Sequence, residues 1–556
     1  MNQKRDGKSW LLWILPILFL SFFFFYPLVS IFSLALGKPS DIRGLNPDAI
    51  LRPLGFTVWQ ASLSTLITVL VGLPAAYIFA RYKFPAKSLL RVLTTLPFIL
   101  PTVVVAAAFN ALIGPRGWVN LALMDWFNLS SPPVQMLNSL PAILLAHVFY
   151  NTSVIIRVVG SAWSQLNPRY EQAARILGAD NWKVFWQVTF PLLKPAILAA
   201  LLLVFLFDFT SFGVVLMLGG PKYATLEVEI YTQAMHMLNL PLASVLSMVQ
   251  LLFTLVLTAG YSWFTNKATV TSAPRVDDDE VLSLSNRPER GAVIAFLTLL
   301  LGFLVLPLLA LAARSFFRLD ADNNLIFTLD YYKELFINRR GSLMYIPPIQ
   351  AARNSLFYAS LTVILSLGLG FLASRSLTIR SWVNRVMDPI LMLPMGASAV
   401  TLGLGFIVVF TRPPFQLQDS PWLIPAAHTL VALPFVVRTL TPALSSIPGS
   451  LRQAAAVLGA SPFRVWLEVD LPIIMRAAIV SAVFAFAMSL GEFGATSFLA
   501  RPEYPTLPIA IYRFIGQPGA MNYGQALAMS TILFTLCAVG IMIIEQLRPP
   551  GAKQEL

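Results

Sequence analysis

The segment EQAARILGADNWKVFWQVTFPLL, residues 171–193, occurs twice in this chain. Its second copy, RQAAAVLGASPFRVWLEVDLPII, begins 281 residues later and covers residues 452–474. Nine of the 23 aligned positions are identical, and no gap is needed. The similarity continues beyond the segment, since FGVVLMLGGPKYATLEVEIY (212–231) aligns with FGATSFLARPEYPTLPIAIY (493–512). These repeats predict that the chain consists of two homologous halves.

The composition indicates that both halves lie in a lipid bilayer. Of the 556 residues, 57% are hydrophobic and only 12% are charged, about half the charged fraction of a soluble domain. The net charge of +13 could suit nucleic acid, but we see no basic cluster interleaved with exposed aromatic residues. An excess of Lys and Arg is also typical of the cytoplasmic loops of membrane proteins. We therefore expect a lipid environment and no nucleic-acid partner.

Apolar runs of about 20 residues, long enough to cross a bilayer as a helix, predict twelve transmembrane helices. In the first half they cover about 10–36, 57–80, 93–113, 139–160, 196–218 and 242–264. In the second half they cover about 291–313, 355–374, 389–410, 421–441, 476–499 and 524–545. Six spans in each half give both halves the same orientation, so the repeat is parallel rather than inverted. The predicted fold class is an all-α polytopic membrane protein.

The distribution of charge predicts domain limits and orientation. We expect a first membrane domain over residues 1–265, a polar cytoplasmic linker over 266–290, and a second membrane domain over 291–556. Arg81, Lys83, Lys87 and Arg91 fall within one short loop without an acidic residue. The positive-inside rule places such a loop in the cytoplasm. Both termini are then cytoplasmic as well.

On this topology the repeated segments, 168–193 and 448–474, both lie between the fourth and fifth helix of a half, on the cytoplasmic side. Pro168 and Pro448 are suited to a helix start, and Gly178 and Gly459 to a helix end. Each short helix carries small and apolar side chains that could dock in a groove of another protein. An interfacial helix on lipid headgroups is the alternative. Two segments at matching positions favour a two-fold partner.

The pattern QAA-x3-G-x12-P in both copies resembles the EAA loop of permease subunits of binding-protein-dependent ABC importers. The resemblance covers nearly the whole chain. One departure is that Gln172 and Gln453 stand where the motif usually has Glu. The resemblance implies a type I ABC importer permease fold in a bacterial inner membrane. It also implies that the following residues contact the ATPase: Gln172, Ala173, Ala174, Gly178, Gln453, Ala454, Ala455 and Gly459.

The same resemblance implies two copies of a separate ABC ATP-binding subunit and an extracytoplasmic substrate-binding protein. The chain lacks a GxxxxGK[ST] phosphate-binding loop, so we expect a transport subunit that is not itself an enzyme and needs no cofactor. Thiamine is the first substrate candidate, since residues 219–234 look most like thiamine-type permeases, and ferric iron is the second. An ion-gradient-driven secondary transporter with twelve helices is the alternative, although it would not need paired docking loops.

Asp208 and Glu492 are charged residues within apolar stretches, which makes them functional candidates. With Ser211 and Thr496 they form our candidate translocation path, suited to a cationic solute. The alternative, which we favour, is that the two carboxylates hold helix ends or neighbouring backbone, because GEFG also resembles permeases for anions. His147 and His428 have no second metal ligand nearby in the sequence, so we expect no metal site.

Overall fold

The computed structural model describes residues 11–37, 46–220, 222–268, 282–283, 287–319, 325–337, 347–379, 381–411, 413–417 and 419–547. The helices of the first half are α1 (Ile14–Leu20), α2 (Tyr26–Ala35), α3 (Asp48–Arg81), α4 (Lys87–Ile99), α5 (Thr102–Ile113), α6 (Trp118–Phe127), α7 (Leu140–Ser164), α8 (Arg169–Ile176), α9 (Asn181–Val184), α10 (Phe190–Phe209), α11 (Gly213–Leu218), α12 (Leu226–Tyr231) and α13 (Leu240–Ala268).

The helices of the second half are α14 (Arg287–Phe316), α15 (Asp330–Glu334), α16 (Pro348–Leu377), α17 (Trp382–Gly396), α18 (Ala399–Phe410), α19 (Leu423–Ser445), α20 (Gly449–Val457), α21 (Pro462–Val465), α22 (Leu471–Gly491), α23 (Gly494–Leu499), α24 (Leu507–Ile515) and α25 (Ala520–Leu547). Wider π-helical turns occur at Ser21–Phe25, Phe185–Thr189, Thr232–His236 and Trp466–Asp470. Strand β1 (Tyr82–Lys83) pairs in parallel with β2 (Leu282–Ser283), and β3 (Phe317–Leu319) pairs antiparallel with β4 (Leu325–Phe327).

The predicted all-helical membrane fold is confirmed. In the described part of the chain, eleven helical stretches are long and apolar enough to cross a membrane, or twelve if the bent pair α17–α18 forms one span. The predicted limits of the linker, 266–290, stay a prediction, because residues 269–281 and 284–286 lie outside the described residues.

The spans predicted at 93–113 and 389–410 are wrong as single straight helices. In the first, α4 ends at Ile99 and α5 begins at Thr102, because Pro101 lacks an N–H and disfavours helical backbone at the residue before it. In the second, α17 and α18 meet at an angle of 95°. There Ser398 caps the new helix by accepting a hydrogen bond of 3.1 Å from the Thr401 N–H.

The fifth span of each half also differs from the prediction. The structure has continuous helical stretches at Asn181–Phe209 and Pro462–Gly491, in place of 196–218 and 476–499. Separate short helices, α11 and α23, then follow. Each begins with a glycine that packs closely on another helix: a Cβ at Gly213 would lie 2.2 Å from Thr102 Oγ1, and one at Gly494 would lie 2.9 Å from Ala399 Cβ. The helix of the fifth span ends just before each of these close contacts.

Equivalent hydrogen bonds show that the halves are structural repeats of the same orientation. The Leu226 N–H donates to Thr57 Oγ1 of α3, and the Leu507 N–H donates to Ser355 Oγ of α16, both over 2.8 Å. Thr57 and Ser355 are thus equivalent, and the same alignment of α3 with α16 pairs Arg81 with Ile379. The predicted parallel repeat is confirmed.

The two halves are interlocked through their first helices. The N-terminal helix packs in the core of the second half, where Phe24 lies in one cluster with Phe406. Trp13 Nε1 donates to Asn384 Oδ1 over 2.9 Å. Helix α14, the first of the second half, packs in turn against α5 and α7, where the Phe303 and Phe149 ring centroids are 6.1 Å apart. Each half therefore packs its first helix against the other half.

Candidate coupling segments and buried polar clusters

The two repeated segments have the same backbone geometry. Helices α8 and α20 end at Gly178 and Gly459, whose φ angles are +86° and +83°. The Ala179 N–H donates to the Ala174 carbonyl over 3.0 Å, and the second half repeats this bond between residues 460 and 455. This pattern is the Schellman motif, which favours glycine at the left-handed position. Each short helix thus stops at its glycine before the fifth span begins.

Both segments present an exposed apolar tip. Ile176 and Leu177 are 86% and 87% exposed, and their counterparts Val457 and Leu458 are 87% and 86% exposed. The residues assigned to the ATPase contact by resemblance are also exposed at 172, 173, 178, 453, 454 and 459, while Ala174 and Ala455 are half-buried. Apolar side chains this exposed at two equivalent places are a candidate surface for a partner protein or for the lipid headgroups.

An ion pair connects each short helix to the helix or turn beside it. The short helix supplies the acidic residue in the first half and the basic residue in the second. In the first half, Glu171 forms an ion pair with Arg81 at the end of α3, and Thr189 Oγ1 donates to Glu171 Oε1 over 2.9 Å. In the second half, Arg452 Nε donates to Asp470 Oδ1 over 2.7 Å. The sequence shows that acidic Glu171 aligns with basic Arg452. It does not show that Glu171 pairs with Arg81.

The first-half path candidates meet in a buried polar cluster. Asp208 is fully buried, and its Oδ1 accepts a 2.7 Å hydrogen bond from Asn151. Its backbone carbonyl accepts one of 2.9 Å from Gln60 Nε2. His147 lies between the two predicted residues, with Nε2 2.8 Å from Ser211 Oγ and Nδ1 3.3 Å from Asp208 Oδ1. The second of these contacts is a close approach and not a hydrogen bond.

The second-half candidates form the equivalent cluster. Glu492 accepts hydrogen bonds from the backbone N–H groups of Ala495 (2.8 Å) and Thr496 (3.0 Å), and so caps α23. The Thr496 hydroxyl donates a further bond to the same carboxylate. His428 lies 3.2 Å from Glu492 through Nε2 and 2.7 Å from Ser489 Oγ through Nδ1. The carboxylate here fixes the start of a helix after the break.

The two clusters exchange their acid and hydroxyl positions. Ser489 stands at the position of Asp208, and Glu492 stands at that of Ser211. In both halves the histidine Nδ1 faces the first position and Nε2 faces the second. Each half thus keeps one carboxylate beside its histidine. Every contact described above for these clusters stays within a single half.

An aromatic pair joins the halves directly after the broken fifth helices. Phe212 and Phe493, which are equivalent residues, stack with ring centroids 5.6 Å apart. Tyr231 adds a second contact to the other half, with 5.4 Å between its ring and that of Phe498. These rings are buried. The pair therefore lies where a two-fold relation between the halves brings equivalent residues together.

A third buried carboxylate was missed in the sequence. Glu227 of α12 is 1% exposed and accepts a 2.7 Å hydrogen bond from Gln250 Nε2 of α13. Nearby, Thr254 Oγ1 donates to the carbonyl of Gly396, in the second half, over 2.7 Å. The only signal would have been an acidic residue just after the apolar fifth span, in a stretch that reads as a polar loop.

Comparisons with known proteins agree with this architecture. The family model described as "Binding-protein-dependent transport system inner membrane component" matches residues 68–270 and again 366–549, well over half of the chain. The thiamine transport system permease protein ThiP of Haemophilus influenzae is 27% identical over 538 residues, covering 94% of each chain. The protein of that name from Brucella suis is 26% identical over 498 residues, covering 89% of this chain and 87% of its own.

A further relative is a probable ABC transporter permease protein, y4fN, of Sinorhizobium fredii. It is 26% identical over 504 residues, covering 88% of this chain and 86% of its own. These matches set aside the ion-gradient-driven transporter that the sequence left as an alternative. Two copies of one family domain, each with its repeated segment, form a fused permease. The chain belongs to the family of binding-protein-dependent transport system inner membrane components.

Proposed function

We propose that this permease subunit of an ABC importer carries thiamine across the bacterial inner membrane. The observation that supports thiamine is the similarity to thiamine permeases along about nine tenths of the chain or more. Of residues 219–234, which carry the sequence resemblance, the described part from 222 onward contains α12, beside the junction of the halves. Ferric iron stays the second candidate from the sequence.

We further propose that the exposed tips at Ile176–Leu177 and Val457–Leu458 dock on two copies of an ABC ATP-binding subunit. Two equivalent apolar tips on one chain suit a partner with two-fold symmetry. The residues from Gln172 to Gly178 and from Gln453 to Gly459 would then receive the motion that ATP drives. This arrangement places the repeated segments and both termini on the cytoplasmic side, and an extracytoplasmic binding protein would deliver solute to the opposite face.

The solute would cross where the halves meet, as in other transporters built from repeats. Phe212 and Phe493 would close the path between them. Asp208 and Ser211 in the first half, and Glu492 and Thr496 in the second, would hold the two broken helices that carry this aromatic pair. In this role the four predicted path residues position the gate rather than touch the solute.

The test is uptake into proteoliposomes that contain this chain and its ATP-binding subunit, with the binding protein encoded beside them added outside. We expect radiolabelled thiamine to accumulate only with ATP in the lumen and binding protein present. Ferric iron, offered to the same vesicles, should not accumulate. Uptake of iron without thiamine would replace the first candidate by the second, and uptake without the ATPase would refute the importer.

A further inference from the structure

Glu227 lies at membrane depth although it follows the fifth span in a connecting segment. Its partner Gln250 is ten residues into α13, which begins at Leu240. With a rise of about 1.5 Å per residue, that distance is about 15 Å from the helix start. Helix α12 therefore dips into the bilayer and carries a carboxylate that is 1% exposed. An acid at this depth is costly unless it has a function or a partner.

The helix that carries this carboxylate, α12, packs against α18 of the other half, whereas the contacts described for Asp208 and Glu492 stay within one half. Ser398 caps α18 after the 95° bend. The hydrogen bond from Thr254 to the Gly396 carbonyl ties α13 to the same bend. Glu227 thus lies at the junction where a solute would pass.

Polar atoms without partners surround the site. Gln250 Oε1 and the hydroxyl of Ser247, one helical turn away on α13, are buried and lack a hydrogen-bond partner in the described part of the chain. Both residues are 0% exposed. Buried polar groups are nearly always paired in proteins, so unpaired oxygens beside a carboxylate indicate a place for a polar or cationic guest.

The site is present on one side only. At the position equivalent to Glu227 the second half has Pro508, and at that of Gln250 it has Thr531. A symmetric pair of carboxylates would present two negative charges to the solute, whereas this junction presents one. A single acid on one side matches a solute with one positive charge.

We propose that Glu227 is the specificity-determining residue that neutralises the positive charge of the solute as it passes between the halves. This assignment rests on the proposed function, in which the solute is thiamine and its thiazolium ring carries the charge. Gln250 holds the carboxylate in place, and the bond from Thr254 to Gly396 ties the same helix to the bend between α17 and α18. Movement of that bend during transport would uncover the carboxylate for the solute.

The test compares E227Q, E227D and E229Q in the proteoliposome assay with radiolabelled thiamine. E227Q removes the charge, yet its amide oxygen can still accept the hydrogen bond from Gln250, so a purely structural role would be preserved. E229Q is the matched control, because Glu229 on the same helix accepts an equivalent 2.7 Å bond from Gln233. Initial uptake rates are measured over a range of loaded binding protein concentrations.

We expect E227Q to lower the maximal uptake rate by about tenfold, the loss of roughly one charge-assisted contact. The half-saturating concentration of binding protein, which docks elsewhere, and its stimulation of ATP hydrolysis should not change. E227D should keep an intermediate rate, and E229Q should match the wild type. The assignment is overturned if E227Q transports normally, if E227D is as inactive as E227Q, or if E229Q loses as much.

The outcome for the wild type separates the two proposals. Thiamine uptake by the wild type together with normal uptake by E227Q would remove only the role of Glu227. If the wild-type chain takes up no thiamine, the proposed substrate and the role of Glu227 fall together.

Discussion

Removing Arg81 should loosen the first coupling helix while leaving its docking tip intact. The Arg81 and Glu171 side chains are only 11% and 18% exposed. Truncating one partner of a buried, hydrogen-bonded ion pair costs about 2–5 kcal/mol. The Thr189 hydrogen bond remains, and Glu171 keeps some contact with water, so we expect R81I to cost about 2 kcal/mol at the low end of that range. E171Q, which keeps an acceptor for both partners, should cost about 1 kcal/mol.

These energies shift the balance between the attached and the detached helix. A cost of about 2 kcal/mol corresponds to roughly 30-fold, and about 1 kcal/mol to roughly fivefold. Amide hydrogen exchange of residues 169–189 in the purified complex measures this shift as faster exchange. In proteoliposomes the same variants should import less thiamine per ATP hydrolysed, because part of the motion no longer reaches α3.

Three further variants test whether the ion pair itself is responsible. R175I removes a charge from the exposed face of the same helix, outside the ion pair, and should leave the hydrogen exchange of residues 169–189 unchanged. The exchanged pair R81E/E171R should restore much of the coupling. I379R adds a cation at the equivalent place of the second half. Asp470, the acid that holds the second short helix, is already paired with Arg452, so I379R should not improve transport. Unchanged hydrogen exchange in R81I would refute the reasoning.

Three other predictions concern single features of the structure. G178V forces a β-branched residue into a backbone with φ of +86°, at a cost of at least about 1–2 kcal/mol. The ATPase should co-purify less with this variant, while membrane insertion continues. Normal co-purification would contradict the docking proposal. H428A removes the imidazole that bridges Ser489 and Thr496 beside Glu492, while the bonds from Ala495 and Thr496 to the carboxylate remain. We expect a cost of about 1–3 kcal/mol and a lower Tm in a thermal melt in detergent; an unchanged Tm would show that the cap on α23 suffices. In a C537S background, a short bis-methanethiosulfonate reagent should cross-link F212C/F493C through two mixed disulfides and stop uptake until reductant is added, and uptake unaffected by the cross-link would exclude these rings as a gate.

The sequence predicted the helical content and the repeat well because both depend on local patterns. Apolar runs located nearly every span, and the copies at 171–193 and 452–474 showed that the chain is double. The sequence did not predict that the helix is interrupted in four spans, namely 93–113, 196–218, 389–410 and 476–499. A proline such as Pro101 can bend a membrane helix or end it, and the choice depends on what the neighbouring helices require. The close contact of Gly213 with Thr102 is one such requirement.

The sequence predicted which charged residues lie in the membrane, but not which residues they contact. Asp208 and Glu492 stood out as charges in apolar runs, and the structure adds that each meets a histidine at an equivalent position. Glu227 did not stand out, because the sequence around it resembles an ordinary polar loop. Its burial follows from α12 entering the membrane between the halves, which no local pattern encodes.

The sequence alone determined that this is a two-part helical membrane protein whose repeated helices end at Gly178 and Gly459, since hydrophobicity and backbone chirality act within a few residues. Only the tertiary structure decided that Glu171 pairs with Arg81 and that Thr254 bonds to the Gly396 carbonyl beside Glu227. Those contacts join residues 90 or more positions apart, and they form only after helices have packed. Packing depends on the fit of whole surfaces, which a linear pattern of residues does not specify.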